Sequence, residues 1–440
     1  MINVHHLSAS ASEGGAARAA MRIHCALLQF GFRGGIQSSL QAMSGTITSE
    51  RCILKPPHNQ FSFWPACRKN LMRLKRYRWR TNNPSFHSIA WPDTGLGFQL
   101  NNNYSKSDFD ILNLHWLGDD TLSIEEIGRL RCPVIWTLHD QWPFCGAEHY
   151  VSDNIELGLD SVSNPMHRYS FSYKHSSCPR DERSNDLNRK TWLRKLRAWK
   201  SRMTLVCTSQ WMFDCVSSSS LFHEWPKLIV PVPIDHEEWR PCGHEISRAV
   251  LGLPCDKQLI LFGALDHHDP RKGADLLMES LKILSAKSPE LMASTELVVF
   301  GNADPQKPIN VGFKVHYLGY LSDNLSLRLA YSACDVMVVP SRQEAFGQTA
   351  SEASSCGLPV VAFAATGLLD IVQDFKTGRL AKPFDSLSLA QSIQWVLEDN
   401  QRRSSLSESA RRRAASLWSY SRVSQLYSDA YKKIYSSRFG

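Results

Sequence analysis

SRQEAFGQTASE, residues Ser341 to Glu352, follows directly on the run Asp335-Val-Met-Val-Val-Pro340. Four apolar residues closed by a proline read as a short strand buried on both faces. Gly347 permits a sharp turn, Gln348 and Thr349 open a helix, and Gly357-Leu-Pro359 stops it. Glu344 then falls in the loop beyond the strand's carboxyl end, and Glu352 falls inside the helix. Open α/β sheets bind ligands beyond the carboxyl ends of their strands, so two carboxylates at that spot point to a site.

Working outward, the same alternation of short apolar runs and longer amphipathic ones recurs along the chain. In the second half, Leu259–Leu265, Leu297–Phe300, Val315–Leu318, Val336–Val339 and Val360–Phe363 read as strands, with a helix over Ala274–Lys287 between two of them. In the first half, Ile2–Leu7, Asp110–Trp116, Val134–His139 and Leu205–Thr208 read as strands, Ser8–Gly15 as a loop and Ala16–Phe30 as a helix. This is the pattern of α/β folding with a doubly wound parallel sheet, present twice. A further strand, Lys227 to Ile234, runs into the Pro- and charge-rich connector His236–Lys257, where the domain break is expected. The expected domains are 1–235, 236–415 and a C-terminal helix over 416–440 that packs back toward the first. The polar, Ser- and Asn-rich stretch of about 150–190 reads as an insertion and a mobile flap.

At 440 residues the chain is too long for one ordinary core. With 43% hydrophobic and 21% charged residues it falls in the globular class, which excludes wholesale disorder and a membrane-embedded protein. The N-terminus lacks a basic region leading into a long apolar one, and no run of eighteen apolar residues occurs, so a cytoplasmic location is expected. The 12 cysteines contain no C-x-x-C pair, which suits a reducing compartment. Cys145 and Cys178 with His149, His167 and His175 match no familiar zinc spacing, and no metal is expected there. The net charge of +8 is uneven: RKNLMRLKRYRWR, Arg68–Arg80, carries seven basic residues and no acid among aromatic and aliphatic ones. That mixture suits either an anionic membrane surface or a solvated basic helix. A second cluster, Arg402, Arg403, Arg411, Arg412 and Arg413, reads as a solvated helix face.

Three other strand ends carry candidate chemistry. Gly14 and Gly15 open a helix after the first strand, where backbone N–H groups can receive a phosphate. Two strands of the first half end in His115 and in His139-Asp140, bringing two imidazoles to one rim. In the second half, Arg271-Lys272-Gly273 sets two fixed positive charges at a helix entrance, which suits a diphosphate. Asp108-Phe-Asp110 has the D-x-D form, but it leads into a strand instead of following one and so lies at the rim away from the site.

Gly14-Gly15, Trp136-Thr-Leu-His-Asp-Gln-Trp-Pro-Phe144, Pro270-Arg-Lys-Gly273 and Glu344-x7-Glu352, in that order, resemble glycosyltransferase family 4 along nearly the whole chain. The Trp-Thr-Leu-His-Asp block is similar to that of members building bacterial exopolysaccharides and other surface glycans. The resemblance implies GT-B architecture, two Rossmann-like domains facing across a cleft, and a retaining transfer from a UDP- or GDP-linked sugar. It implies that Glu344 faces the donor sugar hydroxyls and that amides around Phe346, Gly347, Gln348 and Thr349 hold the diphosphate. Glu352 would accept from the ribose hydroxyls, and Asn302 with Tyr317–Leu321 would border the base. Lys272 would neutralise the departing diphosphate, helped by Arg271 and by Gly14 and Gly15 from the other domain. His139 would lie by the reacting sugar, with His115 and Asp140 on the acceptor side. The acceptor would be a glycan or lipid-linked hydroxyl, reached at the inner membrane face through Arg68–Arg80.

Two departures from the family stand out. Ala264 and Leu265 occupy the place where relatives often carry an arginine, and the 150–190 stretch holds only Cys178 where similar proteins cluster cysteines. No cofactor or metal is expected, because Lys272, Arg271 and helix-terminal amides can neutralise the leaving group. A sugar-nucleotide epimerase of the same architecture would share the cleft without an acceptor groove. A non-enzymatic basic protein binding lipid or nucleic acid would rest on Arg68–Arg80 alone. A dinucleotide dehydrogenase is disfavoured, since no G-x-G-x-x-G follows the first strand.

Overall fold

The computed structural model describes residues 1–46, 50–54, 87–118, 121–151, 167–178, 186–264, 269–302 and 311–439. The basic segment Arg68–Arg80 and most of the 150–190 stretch lie outside the described residues. The chain divides into two compact units, one drawn from Met1–Asp153, Pro165–Pro233 and Tyr420–Gly440, the other from Ile234–Ser419.

In the first unit, β1 (Ile2–Ser10), β2 (Ile36–Ser44), β3 (Cys52–Leu54), β4 (Ile111–Leu114), β5 (Val134–Leu138), β6 (Thr204–Cys207) and β7 (Lys227–Ile229) form one sheet. Its order is β3-β2-β1-β4-β5-β6-β7, with all pairs parallel. Chain order reverses between β1 and β4, so the crevice of this sheet opens beyond their carboxyl ends. Val4, Ile111, Ile135 and Val206 pack on Ile23 and Leu27 of the helix Gly14–Phe30 and on Val423, Tyr427 and Tyr431 of the helix Tyr420–Phe439. The C-terminal helix is polar-tethered as well: Asn113 Nδ2 donates to Tyr431 Oη at 2.8 Å, and the hydroxyls of Thr137 and Tyr427 lie 3.1 Å apart.

In the second unit, β8 (Gln258–Ala264), β9 (Thr295–Gly301), β10 (Val315–Gly319), β11 (Val336–Val339), β12 (Val360–Phe363) and β13 (Gly378–Ala381) form a parallel sheet ordered β10-β9-β8-β11-β12-β13. Its switch point lies between β8 and β11, where Val336 pairs with Ile260 and Met337 with Leu261. The strands β9, β11 and β12 are buried at every residue, and β11 and β12 are continuous apolar runs covered on both faces. Phe262, Val299, Val338 and Val361 pack on Leu277, Leu281, Ile393 and Val396 of flanking helices.

The differences from the sequence reading lie where pairing overrides local pattern. The expected loop from Ser8 is strand as far as Ser10, because Ser8 and Ser10 continue the ladder on Ala42 and Ser44. The strands β2, β3 and β13 are absent from the sequence reading. The polar residues of β2 are buried only because partners meet them: His24 Nδ1 lies 2.7 Å from Ser38 Oγ, and His5 Nε2 lies 3.2 Å from Gln41 Oε1. The single helix expected over 416–440 is broken at Ser419, between the helices Asn400–Trp418 and Tyr420–Phe439. The described part of the supposed flap is packed. Tyr173 is fully buried, and Arg168 forks onto Asp186 with Nη1–Oδ1 and Nη2–Oδ2 at 3.2 and 2.5 Å. Among the described residues no helix is long and apolar enough to cross a membrane.

Candidate active site

In the second unit the chain leaves β11 at Pro340 and meets the turn Pro270–Lys272 that follows β8. Gly273 makes this approach possible: its φ is 65°, and a Cβ there would lie 2.0 Å from the Pro340 carbonyl oxygen. The two loops are then joined by hydrogen bonds. Arg342 N donates to the Arg271 carbonyl at 2.7 Å. The Arg342 guanidinium donates to the Pro270 carbonyl at 2.8 Å and grips both oxygens of Asp275 at 2.8 and 2.6 Å. These hydrogen bonds from Arg342 hold the Asp275 carboxyl below the usual carboxylate range. Neither Arg342 nor Asp275 was singled out from the sequence, since their partnership joins loops 67 residues apart.

The consequence is the placement of Lys272 on Glu344. Lys272 Nζ donates to Glu344 Oε1 at 2.6 Å, with the side chains 28% and 15% exposed, and Ser341 Oγ donates to the same oxygen at 3.0 Å. The Glu344 backbone is also fixed, its N–H donating to Thr366 Oγ1 at 3.2 Å and its carbonyl accepting from Gly367 N at 2.9 Å. A partly exposed lysine with one carboxylate partner can turn toward an arriving anion, because water and ligand compete for the same donor. Arg271 instead bonds its neighbour, Nη2 to Asp269 Oδ2 at 2.5 Å.

Gly347, with φ 99°, caps the helix Gln348–Ser355 without any side-chain cap. The first amides of a helix have no intrahelical acceptor, and here that turn carries half-buried Gln348 and Thr349. The Phe346 ring is buried against Trp418, centroids 6.0 Å apart. Glu352 lies inside the helix, as its position in the sequence implies, and is 1% exposed, accepting from Tyr331 Oη at 2.8 Å. Asn302 is exposed just past β9.

In the first unit Gly14, φ 84°, and Gly15 are exposed at the start of their helix, whose cap position Glu13 makes no side-chain capping bond. Beside them the sheet edge carries His6 on β1, His115 past β4 and His139 past β5. His6 Nδ1 lies 2.9 Å from His115 Nε2, and His115 Nδ1 lies 3.0 Å from His139 Nε2. Burial lowers the pKa of all three, His139 to about 4, so all stay neutral near pH 7. His115 is 1% exposed between the other two rings, which removes it from an acceptor-facing position. Asp140 is likewise buried at 6%: Trp116 Nε1 donates to its Oδ2 at 2.7 Å, Trp142 N donates to its Oδ1 at 3.1 Å, and His149 Nδ1 lies 2.5 Å from Oδ2. The segment after His139 is further pinned by buried Lys195, whose Nζ donates to the carbonyls of Trp142, Cys145 and Gly146. The Trp-Thr-Leu-His-Asp-Gln-Trp block thus folds with its polar side chains met by buried partners. His6, which completes the histidine row, was missed; only the strand order makes it a neighbour of His115.

Asp108-Phe-Asp110 precedes β4, where Asp110 Oδ2 accepts from Asn3 N at 2.8 Å at the sheet end opposite the histidines. Among the described residues no group of three or more His, Cys, Asp or Glu is placed to hold a metal ion.

Comparison with known proteins places this geometry. Residues 244–413 match the family described as Glycosyl transferases group 1. A D-inositol 3-phosphate glycosyltransferase of Stackebrandtia nassauensis is 32% identical over 220 residues, covering 47% of this chain and 49% of that protein. One from Thermobispora bispora is 30% identical over 232 residues, 49% and 54% of the two chains. The chain thus spans about half the length of these curated relatives. Among solved structures, Anabaena Alr3699/HepE in complex with UDP and glucose superposes with a TM-score of 0.63 at 17% identity, over 98% of this chain and 100% of that one. Sucrose-phosphate synthase from Thermosynechococcus elongatus gives 0.62 at 18% identity, over 99% and 100%. With two parallel α/β units and like-folded glycosyltransferases along its length, the chain has the GT-B fold, and its residues 244–413 match Glycosyl transferases group 1.

Proposed function

We propose that this protein transfers a hexosyl unit from a UDP- or GDP-linked sugar to a hydroxyl of a glycan or lipid-linked acceptor, with retention at the anomeric carbon. The observation that carries the reading is Lys272 held on Glu344 at the switch point of a sheet in a Glycosyl transferases group 1 domain. In this reading Lys272 leaves Glu344 for the diphosphate, which gains charge as the glycosidic bond breaks. Glu344 is then released to meet the sugar hydroxyls. The amides of Gln348 and Thr349 meet the phosphate, with Gly14 and Gly15 as a second set of donors. Glu352 accepts from the ribose with Tyr331 behind it, Asn302 borders the base, and His139 meets the transferred sugar. Arg271 adds positive charge without direct contact, its guanidinium being engaged by Asp269.

The acceptor oxygen forms its bond to the anomeric carbon on the face from which the diphosphate departs. Its proton passes to a leaving phosphate oxygen, and the electron pair of the broken bond stays on the diphosphate. Charge neutralisation by Lys272 makes a divalent metal unnecessary, so turnover should survive chelation. The curated relatives are named for D-inositol 3-phosphate, but the match spans only about half their length, so the acceptor proposed here is not taken from that name. The basic, aromatic Arg68–Arg80 would hold the enzyme on an anionic leaflet beside lipid-linked acceptors. Vesicle binding that ignores lipid charge and salt would remove that part.

The test is to incubate the protein with UDP-glucose or GDP-mannose, with and without acceptor glycans, and to follow nucleoside diphosphate release and the anomeric configuration of the product by NMR. Inverted product would overturn the stereochemical assignment. Conversion of the sugar nucleotide without acceptor would favour the epimerase. Failure of calorimetry to detect either nucleoside diphosphate would leave only the basic binding protein.

A further inference from the structure

The row His6, His115, His139 has more order than the packing of three imidazoles needs. The successive ring pairs lie at centroid distances of 5.2 and 5.3 Å and are 19° and 20° from parallel, with each contact made nitrogen to nitrogen. A neutral imidazole has one N–H and one bare nitrogen, so every link needs a donor on one side and an acceptor on the other. Three neutral rings in series therefore admit two arrangements only: all protons on Nε2 or all on Nδ1.

Protons on Nε2 would run the donors inward, from His139 to His115 to His6, and leave an Nε2–H on His6. His6 is 0% exposed, and its Nε2 has no hydrogen-bond partner among the described residues. The surroundings are settled otherwise: the His24 ring, 6.1 Å away, uses Nδ1 for Ser38 and Nε2 for the Glu50 carbonyl, and Tyr431 meets His6 edge to face. An orphaned buried N–H is rarer in folded proteins than an unfilled acceptor. Protons on Nδ1 avoid it. Both inner N–H groups are then used, His6 keeps a bare nitrogen, and the spare N–H emerges on His139, the half-buried end of the row.

We propose that His6 and His115 are positioning residues that lock His139 in its Nδ1–H tautomer, so that the nitrogen it offers a ligand donates a hydrogen bond and cannot act as a base. The ligand this donor meets, a sugar or phosphate oxygen, rests on the proposed function; the tautomer does not. Asp140, next in the chain, does not undo the lock, since its carboxylate is spent on Trp116, the Trp142 amide and His149. The consequence for transfer is that the acceptor's proton must leave by way of the diphosphate.

The experiment is a long-range proton–nitrogen correlation spectrum of the full chain carrying nitrogen-15 histidine, ligand-free at pH 7, with His139 assigned by the loss of its signals in His139→Gln. The expected spectrum shows His139 Nδ1 protonated and Nε2 bare. Protonated Nε2, an average of both tautomers or an imidazolium on His139 would overturn the lock. A pair of variants then separates relay from packing. His6→Asn, whose amide can donate to His115 Nε2, should keep the His139 tautomer. His115→Phe keeps a planar aromatic ring but has no nitrogen, and should shift the His139 signals toward the two-tautomer average. Unchanged His139 signals in His115→Phe would assign the row to packing alone. Since the spectrum is read without ligand, its outcome does not depend on whether transfer activity is found.

Discussion

Replacing Lys272 by alanine separates its part in catalysis from its part in the fold. Among the described residues Lys272 has one carboxylate partner, Glu344 at 2.6 Å, and the pair is 28% and 15% exposed. Solvent screens a pair of that exposure, so losing it should cost about 0.5–1 kcal/mol, and a domain of this size should lose roughly 1–4 °C in Tm. The loops themselves should hold, because Arg342 grips Asp275 and the Pro270 carbonyl without help from Lys272. Turnover should respond far more. Removing one preorganised charge-stabilising donor costs roughly 100- to 1,000-fold, about 3–4 kcal/mol at the barrier. The assay is nucleoside diphosphate release at saturating UDP-glucose, beside a thermal melt of the same preparation. Glu344→Gln supplies the control: the two stability losses should not add, because either change breaks the same pair. If Lys272→Ala keeps wild-type turnover with saturating donor and melts as expected, the diphosphate role is wrong and the site loses its main electrostatic support.

Glu352→Gln should raise the donor Michaelis constant about tenfold with a smaller change in turnover, since a ribose contact is alike in ground and transition states. Because Glu352 is buried and bonded to Tyr331, Tyr331→Phe should weaken donor binding in the same direction and cost about 1.5–3 kcal/mol of stability, read by urea unfolding. Hydrogen bonds from Arg342 depress the Asp275 pKa, so the stabilisation they give is complete above the unfolded carboxylate range and lost as pH falls through the lower folded value. Asp275→Asn should therefore lower Tm at pH 7 and match the wild type in strong acid; an equal deficit at both would refute it. His139 and His167 are held neutral by burial, with pKa values lowered to about 4. Between pH 6.5 and about 4 the unfolded chain binds protons that they refuse, so stability should fall toward acid by up to ~1.4 kcal/mol per pH unit for each. His167→Gln should flatten that slope in denaturant unfolding, and an unaltered slope would refute the assignment.

The local order of the chain determined a good deal by itself. Short apolar runs such as Val336–Val339 and Val360–Phe363, rich in valine and bounded by Pro340 and Pro359, read as strands covered on both faces, and their alternation with helices of 3.6-residue period points to a parallel α/β fold. Gly347 was legible as a turn because positive φ favours glycine, and Arg271-Lys272-Gly273 as a helix entrance, which put Glu344 and Lys272 at strand ends. The tertiary structure decided what no local pattern records. Strand order made His6 a partner of His115, and so turned a histidine outside every motif into the inner end of a row. It buried Glu352, His115 and Asp140, which their chemistry alone would place at the surface, because each found a hydrogen-bond partner from distant chain: Tyr331, His6 and Trp116. Polar groups enter a core only with such partners. Their location therefore follows from contacts across the sheet and stays hidden in the sequence until those contacts are known.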